Sequence, residues 1–174
     1  DTYDNTGIDE ITIEASKIIQ QASAVELERG LRIKVARSIG ADLGPLTTDQ
    51  LNGFKAYMAR IKDAGVRLDI TSGNPDSLKL VVDCYYDPLI LNSSGHRLDG
   101  AGNTTVQDAC KNYLKNLPFN GVLELESLTD NLQVVLGVKI FHIKEAQAKY
   151  GALPFTSFAV QYLPDAGYLR FETN

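Results

Sequence analysis

The chain has few of the residues on which metal and disulfide chemistry depend. Its 174 residues include two cysteines and two histidines. Cys84 and Cys110 each lie among apolar residues, one in a predicted strand and one in a predicted helix. We therefore expect two free, buried thiols, and a disulfide between them is the alternative. Because a chain of this length buries roughly two thirds of its unfolded surface, it needs neither a metal nor a disulfide for stability.

Long apolar runs and basic clusters are also missing. No stretch of about 18 apolar residues occurs, which excludes a membrane-spanning helix, and no secretory signal peptide is visible. The chain has 17 lysines and arginines against 22 aspartates and glutamates, for a net charge of −5. No lysine or arginine is adjacent to another lysine or arginine. A negative chain without a basic patch repels phosphate backbones, so we expect no nucleic-acid partner.

What the chain does contain is a globular composition in which helix and strand patterns alternate irregularly. It is 44% hydrophobic and 22% charged, enough apolar residues to fill a core. We predict the α+β class, with two small mixed subdomains of residues 1–73 and 74–174. Each should be a mostly antiparallel sheet packed with one or two helices. Because the sequence starts at Asp1 without methionine, we expect the first subdomain to be partial and truncated upstream.

Local signals locate several elements. Thr47 and Gln50 match a capping box at the start of a helix that we expect Gly65 to end. Apolar residues alternate from Leu78 to Tyr86, which predicts a long strand with Tyr86 facing inward and Tyr85 outward.

Beyond this strand we predict a polar, glycine-rich loop over 92–103 and a helix from about Thr105. A further helix should be capped by Ser127 and run to Leu136. The last residues should form a hairpin around a turn at 164–167.

The second half follows a recognisable order. The letters YYDP end a strand at 85–88, and a long loop and a helix follow; LPFNG at 117–121 then precedes a short helix, and GV at 137–138 opens a strand. This arrangement resembles the C-terminal domain of the baseplate J-like proteins of contractile phage tails. The segment YMARIKDAGVRL at 57–68 resembles prophage proteins of this type from Bacteroidetes.

The resemblance implies a structural component of a phage or prophage contractile-tail baseplate wedge. Such a protein would act by protein–protein assembly, would not be an enzyme and would need no cofactor. Its partners would be other baseplate and tail proteins and further copies of itself. It would occur in the bacterial cytoplasm during assembly, and then in the tail baseplate of the virion or in a phage-derived injection device.

We predict a partner surface from the aromatic side chains of the second half and from the long loop. Aromatic residues are favoured at interfaces, and long loops in compact domains are often contact elements. The residues selected are Tyr85, His96, Arg97, Tyr150, Phe155 and Tyr168.

An enzymatic alternative starts from the acidic side chains. Some prophage proteins of this type are described as nucleotidyltransferases, which need a Gly-Ser helix start and a D-x-D pair that holds Mg²⁺. The sequence has neither motif. Asp83, Asp87, His96 and Asp99 are weak candidates for a metal site if the loop folds back over the strand, and the competing interpretation is a solvated strand face.

His142 is expected to be a partly buried packing residue rather than a catalytic base. A third candidate function is a small carbohydrate- or peptide-binding module, which would present exposed aromatic side chains near Tyr85.

Overall fold

The computed structural model describes residues 6–100 and 106–172. The chain divides into two compact units, and the division falls between Gly73 and Asn74. Each unit combines a mostly antiparallel sheet with helices, so the predicted α+β class is confirmed. None of the helices in these residues is both long enough and apolar enough to cross a membrane.

The first unit is a small sheet built around one central strand. β2 (Gly30–Ile39) pairs antiparallel with β1 (Gln21–Leu27) along one edge, and along its other edge it pairs antiparallel with β3 (Asp42–Gly44) and parallel with β4 (Leu68–Thr71). The parallel pairing requires a crossover connection, which the second helix supplies. The elements are α1 Glu10–Ser16, β1 Gln21–Leu27, β2 Gly30–Ile39, β3 Asp42–Gly44, α2 Thr48–Ile61 and β4 Leu68–Thr71.

The predicted capping box at the start of α2 is confirmed. The backbone N–H of Gln50 donates to the Thr47 hydroxyl at 3.3 Å, and the Thr47 N–H donates to the Gln50 side chain at 3.0 Å. The helix then packs its apolar stripe on a small core of buried residues. That core consists of Val35, Leu46 and Ile70, and the side chains packed against it include Leu51, Phe54 and Met58.

α2 ends earlier than the sequence predicts. Lys62 takes an extended conformation, with φ −64° and ψ 148°, so the last helical residue is Ile61. Gly65 has φ +89° but lies in the following turn, where the Val66 N–H donates to the Asp63 carbonyl. The left-handed glycine therefore serves the turn into β4 and not the helix end.

The second unit has two long antiparallel strands at the centre of its sheet. The sheet order is β10, β5, β7, β8, and β6 pairs with β9 in a separate ladder. The elements are β5 Asp76–Tyr86, α3 Val106–Asn116, β6 Leu123–Glu124, α4 Leu125–Gln133, β7 Val138–Lys149, β8 Thr156–Ser157, β9 Gln161–Tyr162 and β10 Leu169–Phe171. The predicted start of α3 at Thr105 lies outside the described residues.

Alternation along β5 separates a core face from a solvent face, as predicted. Leu78 is buried, Tyr86 packs against the core and Tyr85 is exposed. The helices and β7 complete this core with Leu114, Leu128, Leu132 and Phe141.

Cys84 and Cys110 are free thiols, half-buried and packed against the same core. Burial raises the pKa of both, that of Cys110 to about 11. A raised thiol pKa lowers the thiolate fraction, so neither side chain is primed for nucleophilic chemistry at neutral pH.

Two predictions for the second unit are wrong. Ser127 does not cap α4, because the helix begins at Leu125 and Ser127 lies inside it. The Ser127 hydroxyl donates to the Glu124 carboxylate. The helix ends at Gln133, before the predicted end at Leu136. The last strand is not the returning arm of a hairpin, because β10 pairs parallel with β5. The reason for the second error is a buried carboxylate, Asp76, which binds the turn that precedes β10.

Asp76 is fully buried and accepts three hydrogen bonds from residues far along the chain. Its donors are the Tyr162 hydroxyl at 2.6 Å, the Asp165 N–H at 2.9 Å and the Ala166 N–H at 3.0 Å. Burial raises the pKa of Asp76, and the three donors partly offset that effect. The Asp76 N–H also donates to the Tyr168 carbonyl. These bonds hold β9, the turn and β10 against the start of β5.

We predict that Tyr162→Phe lowers the free energy of unfolding of the second unit by about 1.5–3 kcal/mol at pH 7, the usual range for a hydrogen bond to a charged group. Tyr85→Phe is the matched control, because it removes an exposed hydroxyl and should change stability by less than about 0.5 kcal/mol. Urea unfolding followed by circular dichroism measures both. Equal shifts in the two variants would show that the Asp76 bond contributes nothing specific.

Candidate interaction surface

The sheet of the second unit exposes apolar side chains on the face opposite its core. We call this the outer face and define it by Val81, Asp83 and Tyr85 on β5 with Ile140 and His142 on β7. Tyr85 lies directly opposite Ile140, and Asp83 lies opposite His142. Tyr85 is 60% exposed, Ile140 53% and Val81 52%, which are high values for side chains of this kind. The outer face is therefore a rigid surface with uncovered apolar groups.

Two β-bulges set lysines beside this surface. The β5–β7 register shifts between Val81 and Val82 and again between Tyr85 and Tyr86. Each shift leaves one extra residue on β7, first Lys144 and then Lys139.

Each extra lysine pairs with a carboxylate, one on β5 and one directly after it. Lys144 Nζ lies 2.8 Å from Asp83, and Lys139 Nζ lies 3.4 Å from Asp87. The bond to Asp83 raises the pKa of Lys144, and a backbone N–H from Leu89, helped by Lys139, lowers the pKa of Asp87. The outer face is thus framed by ion pairs at two positions.

The Phe155 ring lies at the other end of the same face. The amines of Lys79 and Lys149 lie 4.2 and 4.6 Å from the centroid of the Phe155 ring, within the range of a cation–π interaction. Lys149 also pairs with Glu172 at 2.9 Å. Of the predicted partner residues, Tyr85 and Phe155 therefore lie at opposite ends of one surface.

The other predicted partner residues lie elsewhere. His96 and Arg97 belong to a tight loop in which the Asn92 side chain accepts from the N–H groups of Ser94 and His96. Leu91 bridges to Arg97 at the base of this loop, and the predicted loop over 92–103 is described as far as Gly100.

Tyr150 and Tyr168 are both half-buried. The Tyr168 ring stacks on Phe119 with centroids 6.1 Å apart, and burial raises the pKa of Tyr168 to about 12.

The four metal-site candidates do not converge. Asp83 and Asp87 pair with lysines of β7, and Asp99 pairs with Arg97. His96 is exposed in its loop. Over residues 6–100 and 106–172, no three histidine, cysteine or acidic side chains gather as a metal would require.

Two shallow grooves were not anticipated from the sequence. One, of about 360 Å³, lies between α3 and α4; it is lined by Ala109, Asn112, Tyr113, Asn116, Leu117 and Asn131. The other, of about 340 Å³, lies beside β7 and includes Leu125, Ile143, Phe158 and Ala159. Helical spacing of Asn112, Asn116 and Tyr113 was the available signal for the first groove.

Three polar residues on or beside the outer face were not predicted from the sequence. His142 was expected to be partly buried but is exposed beside Asp83. The positions of Lys139 and Lys144 were not predicted, because a bulge changes which face a residue occupies and alternation alone does not reveal it.

Comparison with protein-family models finds no match for the chain, and comparison with curated proteins finds none either.

Because lysines already balance Asp83 and Asp87, we expect Mg²⁺ or Mn²⁺ titrated with a nucleoside triphosphate to give no saturable heat in calorimetry. The thermal unfolding midpoint should also stay unchanged. Asp83→Asn provides the comparison and should behave like the parent chain. A saturable Mn²⁺ signal that disappears in Asp83→Asn would instead support the metal-dependent enzyme.

Proposed function

We propose that the protein is a structural component of a phage or prophage contractile-tail baseplate that acts by protein–protein assembly. The observation that carries the proposal is the outer face, on which Val81, Tyr85 and Ile140 are uncovered on a stiff antiparallel ladder. Partners would be other baseplate and tail proteins and further copies of this chain. The order of motifs from Tyr85 to Val138, which resembles baseplate J-like proteins, supplies the specific assignment.

The outer face has the arrangement that protein interfaces favour. Binding energy usually comes from a few aromatic or aliphatic anchors surrounded by a polar rim. Tyr85 and Ile140 form the candidate anchor pair, and the ion pairs of Lys139 and Lys144 supply polar groups around it. Because the opposite face packs against α3 and α4, the anchors are presented with little conformational freedom to lose on binding.

The enzymatic alternative is less well supported by the same contacts. Asp83 and Asp87 are the carboxylates on which it depends, and each is engaged by a lysine. Recruiting either one to a metal would break an ion pair. A small binding module remains the other candidate, since Tyr85 offers the exposed ring that such a function needs.

The test uses charge placed at the centre of the outer face. Tyr85→Asp and Ile140→Asp should each weaken co-purification with the tail proteins encoded in the same genome by about tenfold or more, because a desolvated anchor contributes about 2 kcal/mol or more. Tyr57→Asp is the matched control: Tyr57 is 51% exposed and lies in the first unit. Circular dichroism should verify that all three variants are folded.

Two outcomes would contradict the proposal. Equal recovery of complexes from the Tyr85 and Tyr57 variants would remove the outer face as the contact. Absence of the chain from purified tails, measured by mass spectrometry, would remove the baseplate role itself.

A further inference from the structure

Among the residues that the structure describes, β1 is an edge strand of the sheet in the first unit. The strand pairs with β2 over all of Gln21–Leu27 with no shift in register. Within the described part of the chain, no strand pairs with its other edge. At about 3.4 Å per residue, this edge is roughly 24 Å long.

The turn between β1 and β2 determines which backbone groups face outward. Leu27 and Gly30 pair directly and enclose a two-residue turn at Glu28 and Arg29. Residues that exchange hydrogen bonds with β2 alternate with residues whose N–H and C=O groups point away. Counting back from Leu27, the outward groups belong to Ala22, Ala24 and Glu26.

The edge of β1 lacks the protective features that β7 has. Proteins protect exposed strand edges with bulges, lysines or very short strands. β7 carries two bulges with Lys139 and Lys144 at them, and β8 covers only Gln147 and Ala148. The β1 sequence QASAVEL has no lysine and no proline, and its pairing has no bulge.

We propose that this edge pairs antiparallel with β1 of a second copy, around a two-fold axis at Ala24. Ala24 is the midpoint of Gln21–Leu27, so this register alone uses the whole strand. It places the outward groups of Ala22 opposite those of Glu26 and sets Ala24 against its own copy. A two-fold contact is self-complementary in this way.

Charge and side-chain size are compatible with a second copy as the occupant. Glu26, the one charged residue of β1, would face Ala22 of the other copy, so no like charges oppose each other. Ala22 and Ala24 are small and exposed, which permits close approach of the two backbones. Other registers would leave strand residues without partners.

This strand pairing would be one surface for the self-association that the proposed function includes, and it rests on the proposed function in that respect alone. Stable interfaces bury on the order of 1,200–2,000 Å² in total, more than one short strand pair supplies. The contact should therefore be weak for the isolated chain and strengthen where an assembly holds copies together.

Cysteine cross-linking of the purified chain tests the register directly. Ala24→Cys should form a disulfide-linked dimer when oxidised by a small disulfide such as oxidised glutathione, because directly opposed residues lie about 4.5–5.5 Å apart. Ala22→Cys is the matched control. It should link no more than the parent chain, since residue 22 of one copy is four positions from residue 22 of the other.

A second measurement does not depend on cysteine. Ala24→Lys should weaken dimerisation in concentrated solution several-fold, measured by sedimentation equilibrium, because it places like charges opposite each other at the axis. Ala41→Lys, at an exposed turn residue away from β1, should have no effect. Equal linking through Ala22 and Ala24, or a parent chain that stays monomeric at millimolar concentration, would overturn the proposal. Neither experiment involves a tail protein, so its failure is distinguishable from failure of the outer-face test.

Discussion

The antiparallel pairing of β5 with β7 is the constraint on which the second unit depends. It extends from Ser77 opposite Lys149 to Tyr86 opposite Val138. Because side chains alternate, one register decides together which residues enter the core and which face solvent. It sets Leu78 and Phe141 against the helices and leaves Tyr85 and Ile140 outside. Asp76 extends this control, since its three side-chain hydrogen bonds attach β9 and the turn before β10 to the first residue of β5.

The two units differ in the features that protect the edges of their sheets against the addition of another strand. In the second unit, β7 combines bulges with Lys139 and Lys144, while the flanking strands β8 and β10 are short. Such features twist an edge and make strand addition costly. In the first unit, β1 is regular and carries the single charge of Glu26. The β1 edge therefore lacks the bulge and the lysine that would make addition of another strand costly.

Much of the fold could be predicted because it rests on local patterns. The capping box at Thr47 and the alternation from Leu78 to Tyr86 each involve residues close in sequence, and both were confirmed. The path of the final strand could not be predicted, because it depends on Asp76, which bonds to residues about ninety positions away. The outer face was only partly predictable, since Tyr85 follows from alternation whereas the positions of Lys139 and Lys144 follow from bulges.

The same bulges explain why the two aspartates that suggested a metal site are paired with lysines. Asp83 lies on β5 and Asp87 directly follows it. Four residues separate them, which corresponds to roughly 14 Å along a strand, too far for both to hold one ion. The inserted residues on β7 place a lysine beside each carboxylate. Exposed ion pairs of this kind contribute little to stability. Under the proposed assembly role, these ion pairs would affect the specificity of binding. Charges around an apolar anchor disfavour incorrect alignments of a partner more than they increase the affinity for the correct alignment.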